Sequence, residues 1–165
     1  MLNLEAIINE FIKFDNSVFE KYLPTDENSI VNLENRINNR LPLDFKSFLL
    51  ITNGALINCH ELYGIDNTNK NRDLFDNFIF ETSEAGNAMP NYYLPIYPDG
   101  MGNHNCLDLS SLSSDRTKCN VIFWQHDRQY SKNEKPDIDA GSFIQFLENM
   151  LKELIKYYNW DGTEK

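Results

Sequence analysis

Residues 41–54, LPLDFKSFLLITNG, have the pattern of one complete helix with its own start and end. Pro42 suits the first helical position, where its missing N–H costs nothing, and Asp44 places a carboxylate where the helix dipole favours it. One face carries the side chains that we expect to be buried: Phe45, Phe48, Leu49 and Thr52. Gly54 ends the pattern, because glycine adopts the left-handed conformation without steric cost. The stretch predicts a helix over 42–53 that packs on a hydrophobic core.

Apolar residues at helical spacing predict three further helices. One lies at the start of the chain, and a second precedes the central helix, with Asn28 or Ser29 as its cap. The last begins at Ser142, which has the form of a capping box with Gln145. These predicted helices cover residues 2–14, 29–39 and 142–158.

The middle of the chain has the composition of β-strands. Runs of apolar and β-branched residues, separated by turn-forming residues, predict antiparallel strands. A short hairpin is expected before them, in the residues that follow the central helix. The predicted strands lie near residues 93–97, 104–109 and 121–126, and the predicted hairpin comprises residues 55–57 and 62–65.

Residues 71–84 allow two interpretations. Leu74, Phe75 and Phe78 have helical spacing, with Asn71 or Asp73 as a cap, whereas residues 78–80 also suit a strand. The sequence leaves this choice open. Polar loops are predicted at 66–71 and 127–136.

The order of these elements indicates a single α+β domain. The expected architecture is a mainly antiparallel sheet, flanked by N-terminal helices and by a long C-terminal helix. A chain of 165 residues is long enough for one domain with one core. We expect the domain to span residues 1–158 and residues 159–165 to fray.

The composition excludes several classes of function. The formal net charge is −10, which argues against direct nucleic-acid binding and against binding to anionic membranes. No apolar run approaches the roughly 20 residues that span a bilayer. Residues 1–14 are amphipathic and carry acids, unlike a signal peptide. Three cysteines without a framework spacing fit a reducing compartment, so the cytoplasm is the expected location.

Acidic residues are concentrated between His60 and Asp99. This segment holds seven acids and two bases, half of the net charge of the whole chain. One interpretation is a solvated acidic face, which keeps the protein in solution. The other is a surface that attracts a basic partner and disfavours wrong ones.

The sequence predicts no catalytic residue, cofactor or metal site. The histidines and cysteines lack the paired spacing of a zinc site. Cys106 or Cys119 with His126 would be the nucleophile and base of a thiol enzyme, but neither cysteine lies at a predicted helix N-terminus, which would make it acidic. Both cysteines are therefore interpreted as small buried residues.

The central stretch also resembles the signature of the SUKH superfamily, which includes a yeast cell-wall regulator and many bacterial immunity proteins. Blocks that resemble the family follow one another from Ile30 to Leu151. They are Ile30, Leu33 and Glu34; Leu41-Pro42 through Asn53-Gly54; Leu62-Tyr63-Gly64; Leu94-Pro95-Ile96; Asp99-Gly100; Gly102-Asn103; Leu107-Asp108; Val121 to Asp127; and Ser142-Phe143 with Phe146-Leu147.

The resemblance implies a non-enzymatic α+β domain that binds another protein. Bacterial members are typically encoded beside polymorphic toxins, so the implied partner is a cognate toxin, for instance a basic nuclease domain, which the protein occludes. A regulatory adaptor is the alternative, and an uncharacterised enzyme is a third hypothesis. Acidic or aromatic residues at strand ends, Asp99, Trp124 and Asp127, are the candidates for partner binding.

Overall fold

A computed structural model describes residues 3–66, 68–131 and 134–165. Position 2 of the predicted first helix, position 67 of one predicted loop and positions 132 and 133 of the other lie outside the described residues. The helices are α1 (Leu4–Phe11), α2 (Glu27–Ile37), α3 (Leu43–Ile51), α4 (Leu74–Ile79) and α5 (Phe143–Tyr157). Among the described residues, no helix is long and apolar enough to cross a membrane.

Helix α3 is the predicted central helix, and it connects to the start of α5. Asp44 in its first turn accepts hydrogen bonds from the backbone N–H of Phe45, at 2.8 Å, and from that of Ile144 in α5, at 3.2 Å. The ring of Phe143 packs edge-on against Phe45 and Phe48, with centroids 4.8 and 5.1 Å apart. The three rings are buried, so this contact forms the centre of the core.

Helix α2 begins earlier than predicted. Its cap is Asp26, whose carboxylate accepts a hydrogen bond from the Ser29 N–H at 2.9 Å. The predicted caps Asn28 and Ser29 therefore lie inside the helix. Asp26 follows the break in the pattern at Pro24-Thr25. Its side chain is therefore placed to accept hydrogen bonds from the first free N–H groups of the helix, whereas Asn28 and Ser29 lie past the capping position.

The strands form two antiparallel sheets in the described residues. Within each sheet the strands pair in chain order. The sheets meet where the Tyr63 N–H donates to the Ile96 carbonyl at 2.8 Å. The strands are β1 (Phe19–Lys21), β2 (Ala55–Ile57) and β3 (His60–Leu62) in one sheet, and β4 (Tyr93–Pro98), β5 (His104–Asp108), β6 (Val121–Trp124) and β7 (Asp137–Ala140) in the other.

Strands β1 and β7 are the elements that sequence patterns miss. Each has only one buried residue, at one end, so neither shows the alternation of a half-buried strand. They form because their neighbours offer a free edge: Phe19 pairs with Ile57, and Ile138 pairs with Ile122. Their positions follow from the neighbouring strand rather than from their own sequence.

The hairpin after α3 is tighter than predicted. Its two turn residues, Asn58 and Cys59, both have positive φ, 47° and 67°, which is the conformation of a two-residue hairpin with the right twist. Gly54, just before β2, has φ 88°, and a Cβ there would lie 2.6 Å from the Leu62 carbonyl oxygen. A glycine is therefore required both by the backbone conformation and by the close approach of β3.

The open choice in residues 71–84 is decided for a helix. Asp73 caps α4 by accepting hydrogen bonds from the N–H groups of Phe75 and Asp76, at 3.0 and 2.9 Å. The helix continues as a π-helical turn, Phe80–Glu84. Such turns are rare and are frequent at functional sites.

Residues 159–165 fold back onto the start of the chain. The Trp160 ring lies 4.5 Å from that of Phe14, and its carbonyl accepts a hydrogen bond from the Asp15 N–H at 2.8 Å. Tyr158 and Glu164 form an isolated antiparallel bridge. These contacts define where residues 159–165 lie. The expectation that they fray concerns their motion, and it stays a prediction.

A candidate protein-interaction surface

The structure divides the acidic segment into two groups of residues. Four of its acids hold the fold together. Glu61 accepts a hydrogen bond from the Tyr22 hydroxyl at 2.8 Å, and Asp66 forms an ion pair with Arg72. The other two are Asp73, which caps α4, and Asp99, which is bound within its turn.

The remaining three acids surround an exposed aromatic ring. Phe80, at the start of the π-helical turn, is 51% exposed. On one side of it, a pocket of about 420 Å³ is lined by Asp76 and Glu84. On the other side, a pocket of about 450 Å³ is lined by Glu81 and Asp127. We call the second one the Glu81 pocket; Asn87, Gly102, His126 and Gln129 also line it.

Glu81 differs from the other acids because it is almost completely buried. It is 8% exposed, and within the described residues its carboxylate accepts no hydrogen bond. Its nearest basic atom is His104 Nδ1, 3.9 Å away. Burial raises the pKa of Glu81, and the charge of His126 opposes this. A buried carboxylate that lines a pocket is poised to gain from a donor that enters it.

His104, behind Glu81, is buried and incompletely hydrogen-bonded. Its Nδ1 has no hydrogen-bond partner in the described residues, and its Nε2 lies 3.4 Å from the Tyr63 hydroxyl. Burial lowers the pKa of His104, although the carboxylate of Asp99 acts in the opposite direction. The imidazole therefore stays neutral near pH 7 and does not neutralise Glu81.

The structure places the three predicted binding residues in different environments. Asp127 is exposed and lines the Glu81 pocket. Trp124 is 3% exposed and packs against the rings of Tyr93 and Tyr130, so its side chain does not reach the surface. Its indole N–H is an unpartnered buried donor in the described residues.

Asp99 acts on the site through its turn. Its carboxylate accepts hydrogen bonds from the N–H groups of Met101 and Asn103, and from the Asn103 side chain at 2.6 Å. The Asn103 side-chain oxygen in turn accepts the His126 N–H at 3.1 Å. Through this turn, Asp99 fixes a wall of the Glu81 pocket.

Sequence reasoning overlooked Phe80 and Glu81 as individual site residues. The only signal was the excess of acid between residues 60 and 99. Glu81 lies on a helical turn and Asp127 follows β6, so only the folded chain brings them together. Aromatic residues are enriched at protein interfaces, so the exposed ring of Phe80 marks a candidate contact.

The two buried thiols lie in surroundings that disfavour the reactive thiolate form. Cys106 and Cys119 are buried, and burial raises the pKa of both, to about 12 for Cys119. A thiol of this kind is almost entirely protonated, and therefore weakly nucleophilic, at neutral pH. The described residues also contain no group of three or more potential metal ligands.

Comparison with known proteins finds one family and a similar solved structure. A model of the SMI1 / KNR4 family (SUKH-1) matches residues 24–149. The crystal structure of a protein from Pseudomonas syringae pv. tomato is similar, with a TM-score of 0.57 and 20% sequence identity. The match covers 74% of this chain and 84% of that one, and at this identity it supports the fold alone. The search of curated proteins finds no match.

Proposed function

This chain belongs to the SMI1 / KNR4 family (SUKH-1), and we propose that it is an immunity protein that binds a cognate toxin and blocks it. The activity is binding rather than catalysis. The protein would act in the cytoplasm, where a nuclease toxin finds its substrate. The observation that carries this proposal is the acidic surface around Phe80, which offers an aromatic contact and four carboxylates, Asp76, Glu81, Glu84 and Asp127, against one lysine, Lys70, in the lining of the two pockets.

The charge of this surface suits a basic partner. A nuclease must hold phosphates, so its active face is basic, and the acids around Phe80 complement it. Attraction between such faces raises association rates by about 10–10³-fold, and it weakens as salt shortens the Debye length to about 3 Å at 1 M. The net charge of −10 acts in the same direction.

Tight inhibition also needs contacts that exclude water. Charge gives more on-rate than affinity, whereas buried aromatic and charged anchors give a slow off-rate. Protection against a lethal enzyme requires a dissociation constant near 1 nM, about −12 kcal/mol. Phe80 and the pockets beside it provide the anchor sites, with Asp127 at the edge of one of them.

The direct test is coexpression with the toxin domain encoded beside this gene. We expect growth to be rescued by this protein and not by a family member from an unrelated toxin system. Binding measured at low and high salt should show an association rate that falls with salt. Failure to bind or to protect would refute the immunity role and favour a regulatory adaptor on the same fold.

A further inference from the structure

The Glu81 pocket contains a buried acid whose nearest basic atom, His104 Nδ1, lies 3.9 Å away. Acids that stabilise this protein accept hydrogen bonds, as Asp44 and Asp73 do. Glu81 accepts none within the described residues, although only 8% of its surface is exposed. Burial of a carboxylate without a hydrogen-bond donor costs free energy, and a donor that enters the pocket would offset this cost.

Arg128, which follows Asp127 in the chain, is engaged elsewhere. Arg128 forms an ion pair with Glu134, donates to the Gln125 side chain and stacks on the ring of Tyr130, 5.2 Å from its centroid. The described residues that line the Glu81 pocket include no lysine or arginine. His126, whose charge acts on Glu81, is the one basic side chain among the described residues that line the pocket, and it lies opposite two carboxylates, Glu81 and Asp127.

We infer that the Glu81 pocket receives an arginine side chain of the protein partner, whose guanidinium pairs with Glu81 and stacks on Phe80. This inference rests on the proposed function and names the group that the acidic surface binds. A volume of about 450 Å³ leaves room for a long side chain. Asp127 at the edge adds a second negative charge along the route of entry.

Arginine suits this pocket better than lysine. Its planar guanidinium donates two parallel hydrogen bonds to one carboxylate and can stack on an aromatic face at the same time. It is also more weakly hydrated than an ammonium group, so it loses less on entering a site that is mostly closed to water. Lysine would leave the ring of Phe80 and part of the carboxylate unused.

The first experiment uses a probe that does not depend on the toxin. Nα-acetyl-arginine methylamide is titrated into the labelled protein and followed by amide chemical shifts. A fragment of this size should bind with a dissociation constant of about 1 mM. The shifts should fall on residues 80–87 and 126–129. The matching lysine and citrulline compounds should bind more weakly, since one lacks the fork and the other lacks the charge.

Substitutions then locate the contact. Glu81→Gln keeps the shape and removes the charge, and it should abolish binding of the arginine compound. Glu20→Gln, which removes one exposed charge from β1 in the other sheet, is the matched control and should bind normally. Asp127→Asn is a surface variant that should weaken binding even if Glu81→Gln fails to fold. Equal binding of the arginine compound by wild type and folded Glu81→Gln, or no binding by wild type, would overturn the inference.

The second experiment measures the toxin domain against the same variants. Truncating one partner of a buried charge pair weakens binding by about 30-fold or more, so Glu81→Gln should lose that much and Glu20→Gln should lose little. If Glu81→Gln binds the toxin as wild type does, the inference is wrong although the immunity role stands. If wild type does not bind the toxin, the proposed function is wrong, and the arginine titration alone decides the inference.

Discussion

Replacement of Glu34 by alanine should destabilise the protein through one hydrogen bond. Glu34 is 3% exposed, at the buried side of α2. Its carboxylate accepts the Leu41 N–H at 2.9 Å and contacts Arg40 and Arg116, with N–O distances of 2.8 and 3.6 Å. The hydrogen bond joins α2 to the start of the central stretch, two residues before α3 begins at Leu43.

The magnitude follows from which group is left without a partner. Leu41 is fully buried, so its orphaned N–H costs about 1–3 kcal/mol. The Arg40 side chain is 68% exposed and that of Arg116 is 33% exposed, so water solvates both once Glu34 is gone and their pairs contribute little. With the cavity that alanine leaves, we expect Glu34→Ala to cost about 2–4 kcal/mol.

Glu34→Gln is the matched control, because it keeps a carbonyl oxygen that can accept the Leu41 N–H. It should cost only about 1 kcal/mol, the value of the lost charge in the hydrogen bond. Urea denaturation followed by circular dichroism measures both free energies of unfolding. A cost below 1 kcal/mol for alanine, or equal costs for the two variants, would refute the argument that the hydrogen bond dominates.

Four further results are expected. Leu49→Ala should cost about 2–5 kcal/mol in urea denaturation, because this side chain is fully buried on α3; a loss below about 1 kcal/mol would contradict that assignment. Gly54→Val should lower the unfolding midpoint, through a φ of 88° and the contact of its Cβ with a backbone oxygen, and an unchanged midpoint would remove that reasoning. His104 has a lowered pKa in the folded state, so the unfolded chain takes up the proton first. Stability should therefore fall as the pH drops below about 6.5, and His104→Gln should reduce this dependence; an equal slope in both proteins would show that other groups cause it. If residues 159–165 fray, the Asp15 amide, which donates to the Trp160 carbonyl, should exchange hydrogen faster than the amides of α3, and slow exchange would contradict fraying.

The candidate site shows why sequence reasoning reached the surface but not its residues. The excess of acid between residues 60 and 99 indicated a charged region, because charge is a property of composition. Which acids remain available depends on hydrogen bonds: Asp99 is held in its turn, whereas Glu81 has no donor among the described residues. Trp124 looked like an interface residue from its position at a strand end, but that position faces the interior.

The sequence by itself determined the elements whose signals are local. Helix α5 carries a cap and an apolar face within a single stretch, and the central helix carries an apolar face that follows Pro42, so neighbouring residues suffice to specify both. The tertiary structure decided β1, β7 and the Glu81 pocket. The position of an edge strand is set by the strand that it pairs with, and the pocket joins a π-helical turn to the end of β6. Both features depend on contacts between residues that are far apart in the chain, and no local sequence pattern encodes such contacts.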